Sequence, residues 1–280
     1  MVAGRDNDLK IGAIIQARIG SARLPEKVLM PLPYPYGKPL LGWVIDSLHG
    51  SKKINRIVVA TSEKADDDAI EKFCEQKNIS CLRGSEDDVL RRFLDVIARF
   101  NFDIIIRVTG DNPIIDAGIL DSVIEFHIRS ENEYTVTQGL PTGMNIEVVS
   151  TIALRSISNL DLTAQEREHV TLFFAHSNSI KKAIVPFDLG SRLKNLRLTI
   201  DYPSDLALMS LILAFASEVN KPGLAFIENL LKSHKWIFDI NSTNFQRVSF
   251  PTAEAEIQAA ISSLEQNAMY HAANVLKKHG

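Results

Sequence analysis

The sequence predicts an α/β protein built on a mainly parallel sheet flanked by helices. Two observations carry this. From Ile11 to about residue 130, short apolar runs alternate with amphipathic segments, the mark of right-handed βαβ units. Ile104-Ile105-Ile106-Arg107-Val108-Thr109 is the most continuous β-branched run of the chain, which suits a central strand.

Taken in order, Ile11 to Ile15 reads as the first strand, Leu40 to Leu48 as a helix and Ile57 to Thr61 as the second strand. The next helix, Ala65 to Lys77, sets Ala69, Ile70, Phe73 and Cys74 on one face. Its acids Asp66, Asp67 and Asp68 fall in the first turn, where the positive end of the helix dipole favours them. That reading is preferred to a metal site. Ile79 to Leu82 is a short third strand, and from Asp87 to Phe100 apolar residues recur at helical spacing. The central strand ends in Gly110-Asp111-Asn112-Pro113, a turn by composition, before a helix from Ala117 to Ile128.

The second half is less regular. Strands are expected at Tyr134 to Gln138, Asn145 to Val149, Lys182 to Phe187, Leu196 to Ile200 and Trp236 to Ile240. Helices are expected at Thr163 to Ser177, from Pro203 to about Glu218, and at Gly223 to His234; Pro203 suits a first helical turn. Residues 241–252 read as a linker and Ala253 to Lys278 as one helix. The expected division is a body at 1–245 and a C-terminal helical extension at 246–280, which covers the sheet or pairs with a second subunit as a homodimer.

A net charge of -3 gives no overall basic surface, which argues against nucleic-acid binding by bulk electrostatics. A local basic loop in a mildly acidic chain points instead to a small anionic ligand. The two cysteines, Cys74 and Cys81, have no metal-ligand spacing and fit a reducing cytoplasm. Residues 1–10 have no apolar signal-like core, and no run approaches the roughly 18 apolar residues of a membrane span. A soluble cytoplasmic protein is expected.

Chemistry concentrates after the first strand. Arg18, Arg23 and Lys27 follow it within a short loop, with Gly20 and Ser21 allowing close backbone approach. Arginine offers a planar fork for phosphate oxygens and lysine a compact charge, so three cations suit a polyphosphate; solvated surface cations are the plainer alternative. Neither the Walker A nor the GxGxxG spacing occurs. Asp111 and Asp201 each end an apolar run. At neighbouring strand ends two carboxylates could hold Mg²⁺, which completes its shell with phosphate and water. Singly, Asp111 could be a turn former and Asp201 a cap for the helix at Pro203. Asn145 and Glu147 share a face if their segment is extended. His169, within Glu166-Arg167-Glu168-His169, is either a proton acceptor or substrate clamp, or a helix-surface histidine paired with Glu166 or Glu168.

The stretch Gln16-Ala17-Arg18-Ile19-Gly20-Ser21-Ala22-Arg23-Leu24-Pro25-Glu26-Lys27-Val28-Leu29 resembles the signature loop of cytidylyltransferases that activate acidic sugars, such as CMP-Kdo synthetase and acylneuraminate cytidylyltransferase. The branch it resembles most is the spore-coat-polysaccharide-biosynthesis protein F type. Further matching motifs follow in order: Arg83-Gly84-Ser85-Glu86-Asp87-Asp88-Val89-Leu90-Arg91-Arg92-Phe93, Thr109-Gly110-Asp111-Asn112-Pro113, Glu168-His169-Val170-Thr171 and Leu198-Thr199-Ile200-Asp201-Tyr202-Pro203-Ser204-Asp205-Leu206. The resemblance covers about residues 10 to 240. It implies a nucleotide-diphospho-sugar-transferase fold with a small inserted lobe, and Mg²⁺-dependent transfer of CMP from CTP to an acidic sugar or a phosphorylated small molecule.

By that resemblance Gln16, Ala17, Arg18, Ser21, Arg23, Lys27 and Gly110 hold the nucleotide, and Arg83, Gly84 and Asp88 lie near the nucleoside. Asp111 and Asp201 bind Mg²⁺, while Asn145, Glu147 and His169 meet the acceptor. The catalytic set is Arg18, Arg23, Lys27, Asp111 and Asp201. Two positions depart from the pattern: Glu26 stands where such loops usually carry glycine, and Asn145 where they tend to carry aspartate. An inactive nucleotide-binding or assembly subunit is the alternative these departures keep open.

Overall fold

A computed structural model describes residues 9–216, 221–244, 252–266 and 268–279. Two compact units divide at Thr243 and Asn244.

In the larger unit, β1 (Ile11–Gln16) leads through the loop and a short 3₁₀ turn, Lys27–Leu29, to the small ribbon β2 (Pro31–Leu32) and β3 (Lys38–Pro39). Then follow α1 (Leu40–Leu48), β4 (Arg56–Ser62), α2 (Asp68–Gln76), β5 (Ser80–Gly84), α3 (Val89–Phe100), β6 (Ile104–Thr109) and α4 (Ala117–Arg129). After these come β7 (Tyr134–Gln138), β8 (Glu147–Ser150), α5 (Thr151–Ile157), α6 (Ala164–His169), α7 (Leu172–His176), β9 (Lys182–Pro186), α8 (Ser191–Lys194), α9 (Pro203–Ala214) and α10 (Leu224–Ser233).

The main sheet has seven strands in the order β5-β4-β1-β6-β8-β7-β9. Strands β5, β4, β1 and β6 run parallel, β8 is antiparallel to both β6 and β7, and β9 is parallel to β7. The β-branched run does occupy the middle of this sheet. The alternation of side chains along a strand sorts the core into two layers. Ala13, Ile15, Ile57, Val59, Ile104 and Ile106 pack with α1, α2 and α4. Ile14, Val58, Ala60 and Ile105 face the other way, onto α3 and α5. A third cluster joins Leu198 and Ile200 to α9 and α10.

Several local expectations are corrected. Leu196 to Ile200 is not a strand of the sheet but an extended segment with a single parallel bridge, Thr142 to Arg197. Trp236 to Ile240 is a 3₁₀ turn over Lys235–Asp239, for Ile237 and Phe238 are buried in succession while Trp236 is exposed, against the alternation of a strand. The helix expected at 163–177 breaks into α6 and α7 at Val170, whose φ is 54°. Thr151 to Ile157, unassigned from sequence, is helical.

Asn241, placed in the expected linker, is buried and donates to the Arg197 carbonyl and to Asp205 at 3.0 and 2.8 Å. Residues 245–251 of that linker, and the end of the helix expected to reach Glu218, lie outside the described residues. The smaller unit contains two helices rather than one, α11 (Ala253–Gln266) and α12 (Tyr270–His279), with Ala268 at φ 58° between them. Lys277 bridges back to Glu265 at 2.6 Å. No helix among the described residues is long and apolar enough to cross a membrane.

Candidate active site

Parallel pairing of β1 with β6 puts Gln16 opposite Thr109, so both chains leave the sheet at the same level. Gly110 continues this contact: its N–H donates to the Gln16 carbonyl at 2.9 Å, and a Cβ there would lie 3.1 Å from that of Ala17. The extended segment 196–200 is tied in from the other side. The Leu198 N–H donates to the Thr142 carbonyl at 2.7 Å and the Ile200 N–H to the Asp111 carbonyl at 3.1 Å. Gly143 makes this closeness possible. It has a φ of 97°, and a Cβ would sit 2.7 Å from the Leu198 backbone. These contacts, rather than sheet pairing, bring Asp201 beside Asp111.

Lys27 lies between the two acids. Its Nζ donates to Asp111 at 2.8 Å, to Asp201 at 3.0 Å and to the Ile200 carbonyl at 2.6 Å, with the side chain only 9% exposed. Asp201 also receives Arg23 at 3.0 Å and Arg197 at 2.7 Å. Burial pushes the Asp201 carboxyl up, but Lys27 foremost, then Arg197 and Arg23, outweigh it and hold it below its ordinary value. Asp111 accepts from the Thr109 hydroxyl at 2.6 Å.

The cap at Pro203 is not made by Asp201. Asp205 accepts from the backbone N–H groups of Asp201 and Tyr202 at 2.9 and 3.0 Å. Asp205 in turn holds Arg197, whose raised pKa reflects burial working against it and the bonds to Asp205 and Asp201 prevailing. The capping task therefore falls to Asp205, and Asp201 points at Lys27.

The cationic loop is pinned by a residue read from sequence as a helix-dipole acid. Asp67 is buried and accepts from the Ile19 N–H at 2.7 Å, the Ser62 N–H at 3.0 Å and the Ser62 hydroxyl. Burial raises its carboxyl, yet these bonds bring it below the usual value. The Ile19 carbonyl closes the loop by accepting from Ser21 and Glu26 at 2.8 and 3.1 Å. Glu26 itself sits at φ 60°, ψ 7°, exposed, ahead of the 3₁₀ turn that carries Lys27. Glutamate here takes a left-handed conformation that glycine adopts more readily.

The remaining expected site residues have other neighbours. Arg18 pairs with Glu168 at 3.5 Å. Arg83 spends its donors on the Ser62 and Lys64 carbonyls and on Asp68 and Glu71. Asp88 caps α3 through the Arg91 N–H at 2.9 Å and pairs with Arg167 at 2.8 Å. Glu147 is enclosed by Arg107, Tyr134 and Thr171 at 2.7, 2.6 and 2.9 Å, and so ties β8 to β6, β7 and α7. Burial pushes its carboxyl up, and Arg107 and the Tyr134 bond bring it down past its ordinary value. Asn145 precedes β8 and is exposed, as is His169.

His169 precedes the most strained turn of the site. Val170 is wholly buried at φ 54°, ψ −52°, and the Thr171 N–H donates back to the His169 carbonyl. This is a γ-turn with positive φ, costly for a β-branched residue. The sequence gives no site role to Arg197 or Asp205 and reads Asp67 only as a helix-dipole acid. The readable signal was spacing: Arg197 stands four residues before Asp201 and eight before Asp205.

A cytidylyltransferase family model matches residues 12–238, a span that includes the loop, Asp111, Asp201 and α6. The chain belongs to the cytidylyltransferase family. The spore coat polysaccharide biosynthesis protein SpsF of Bacillus subtilis is 38% identical over 198 residues, which are 69% of this chain and 81% of that protein. The uncharacterized protein MJ1063 of Methanocaldococcus jannaschii is 35% identical over 71% of this chain and 82% of its own length. Among solved structures, a cytidylyltransferase from Leptospira borgpetersenii superposes with a TM-score of 0.75 at 29% identity, covering 86% of this chain and all of that one. CMP:2-keto-3-deoxy-manno-octonic acid synthetase complexed with CTP shares the fold, with a TM-score of 0.54 at 16% identity over 73% of this chain and 98% of that one. The chain is thus a nucleotidyltransferase, on the mainly parallel sheet the sequence predicts.

Proposed function

We propose that this cytidylyltransferase transfers CMP from CTP to an acidic sugar or a phosphorylated small molecule, releasing pyrophosphate, with Mg²⁺ held by Asp111 and Asp201. The observation that carries it is the convergence of those two carboxylates on Lys27, with Arg23 on the same Asp201 oxygen at 3.0 Å.

The donor set suits a hard divalent cation. Two carboxylates come within about 3 Å of one ammonium nitrogen, and Mg²⁺ takes one or two protein carboxylates with water and phosphate completing its shell. Bound there it would supply positive charge to phosphoryl oxygens. Asp205, by capping α9, leaves the Asp201 side chain for this role. Lys27 neutralises the acid pair in the ligand-free protein and holds both oxygens toward one point. Arg23 and Arg18 offer guanidinium forks to the leaving pyrophosphate as charge builds on it. An oxygen of the acceptor forms the new bond to the α-phosphorus while the bond to the bridging oxygen of pyrophosphate breaks. No protein nucleophile is required.

A sugar-acid hydroxyl would yield a CMP-sugar and a phosphate monoester a CDP-linked product. SpsF, by its name, serves spore coat polysaccharide, which supports a surface-polysaccharide precursor. The same reading makes the protein a cytoplasmic enzyme, a homodimer in solution, acting without membrane or nucleic acid; light scattering tests the dimer. The activity is tested by incubating the protein with CTP, Mg²⁺ and pooled acidic sugars and phosphate monoesters. Pyrophosphate release that needs both acceptor and Mg²⁺, with the product mass identifying the acceptor, is expected. Release unaffected by chelation would overturn the metal assignment.

A further inference from the structure

Arg92 has no part in the chemistry proposed above, yet it is a buried cation with few partners. It lies on the inner face of α3, between the buried Val89 and Val96, and is 2% exposed. Its Nη1 reaches the Ala60 carbonyl only at 3.5 Å, and its fully buried Nε has no partner among the described residues. Room for its stem is provided by Gly84. That residue has no positive φ, but a Cβ there would lie 2.8 Å from the Arg92 Cγ. A side chain at Gly84 would therefore crowd the Arg92 stem.

Arg92 lines a small cavity whose other walls are Gln16, Ala17, Arg18, Val89 and Glu168. Burial first, and next the charge of Arg18, disfavour the charged form of Arg92; Asp67, Glu86 and Asp88 only partly offset them. An arginine cannot shed its proton at physiological pH, so two like charges meet at one cavity. The carboxylate at its wall, Glu168, pairs with Arg18 at 3.5 Å while both side chains are about half exposed. Such a pair holds weakly and exchanges readily. A buried donor without an acceptor is costly to keep, and what fits both guanidiniums is an oxyanion. Gln16 to Arg18 open the loop that carries Arg23 and Lys27, the loop that holds the triphosphate in the reading above, so the oxyanion assigned here is one of its phosphates.

We propose that Arg92 and Arg18 form a two-guanidinium subsite for a phosphate group of the nucleotide, in which Glu168 is the internal counter-ion until the nucleotide enters. This rests on the nucleotidyl-transfer reading and makes Arg92 a binding residue.

The test is calorimetric binding of pyrophosphate, CTP and cytidine to the full-length protein, which needs no turnover and so is separate from the pyrophosphate-release assay. Arg92→Gln is expected to weaken pyrophosphate and CTP about tenfold or more, leave cytidine unchanged, and be partly rescued by Arg92→Lys. Glu168→Gln is expected to shift the same two ligands the opposite way, toward tighter binding, because it removes the competing carboxylate. If Arg92→Gln fails to fold, the exposed Glu168→Gln carries the test alone. Unchanged anion affinity in folded Arg92→Gln, a loss that falls on cytidine, or unchanged or weaker pyrophosphate binding in Glu168→Gln would overturn it.

Discussion

Replacing Lys27 with methionine removes the cation shared by Asp111, Asp201 and the Ile200 carbonyl while keeping most of the apolar stem. Its Nζ lies 2.8, 3.0 and 2.6 Å from these acceptors. Breaking a buried ion pair from one side costs about 3–5 kcal/mol. Two features reduce this here. Asp201 keeps Arg23 and Arg197, and the Asp111 side chain is 23% exposed, so water reaches it. The expected loss is about 2–3 kcal/mol at pH 7.

The sign with pH follows from Asp201. Its carboxyl lies below the ordinary value of 3.8 in the folded protein, so it contributes stability above its unfolded pKa and loses it as pH falls through the folded one. The penalty of Lys27→Met is therefore full at neutral pH and shrinks as Asp201 takes up its proton, below its ordinary value of 3.8. Urea unfolding followed by tryptophan fluorescence at several pH values measures this. Removing the counter-ion should also tighten Mg²⁺ binding in the absence of nucleotide. Coincident unfolding curves at pH 7, or weaker Mg²⁺ binding in the variant, would refute the reasoning.

Other perturbations follow from single contacts. Asp67→Ala frees the Ile19 and Ser62 N–H groups and should cost about 2–3 kcal/mol, together with a several-fold rise in the KM for CTP, read by unfolding and by initial rates. Glu26→Gly relieves a left-handed backbone; it should stabilise by about 1 kcal/mol and lower the KM for CTP by removing a negative charge from the cationic loop, read by unfolding and by initial rates. His127 is buried, and desolvation lowers its pKa from 6.5 to about 4. The unfolded chain takes up that proton first, so stability should drop by about 3 kcal/mol as pH falls from about 6.5 to 4. In His127→Gln, unfolding curves should lose this slope.

Apolar runs made the sheet readable, because β1, β4 and β6 are buried on both faces, with Arg107 breaking the run of β6. Periodicity failed where non-local bonds decide the backbone. Leu196 to Ile200 looks like a strand, yet it meets Thr142 and Asp111 rather than a ladder. The turn at Val170 contradicts its residue type and is held by tertiary packing, with Val170 in the core and Thr171 on Glu147. The loop and the two aspartates stood out because charge at a strand end is conspicuous. Residues that position them did not, since Asp67, Arg197 and Asp205 resemble ordinary helix-end charges until their partners are known. Arg92 was visible in principle as a cation on the apolar face of α3, between Val89 and Val96.

The most direct test of the site is the acceptor-dependent pyrophosphate release of Asp111→Asn at saturating CTP and Mg²⁺. Asparagine keeps the size and the bond from Thr109 while removing the charge that faces Lys27. With the unfolding midpoint near that of the native protein, kcat is expected to fall by about 1,000-fold. A folded variant that releases pyrophosphate within about tenfold of the native rate, less than 1.4 kcal/mol in the barrier, would contradict placing the chemistry at Asp111 and Asp201.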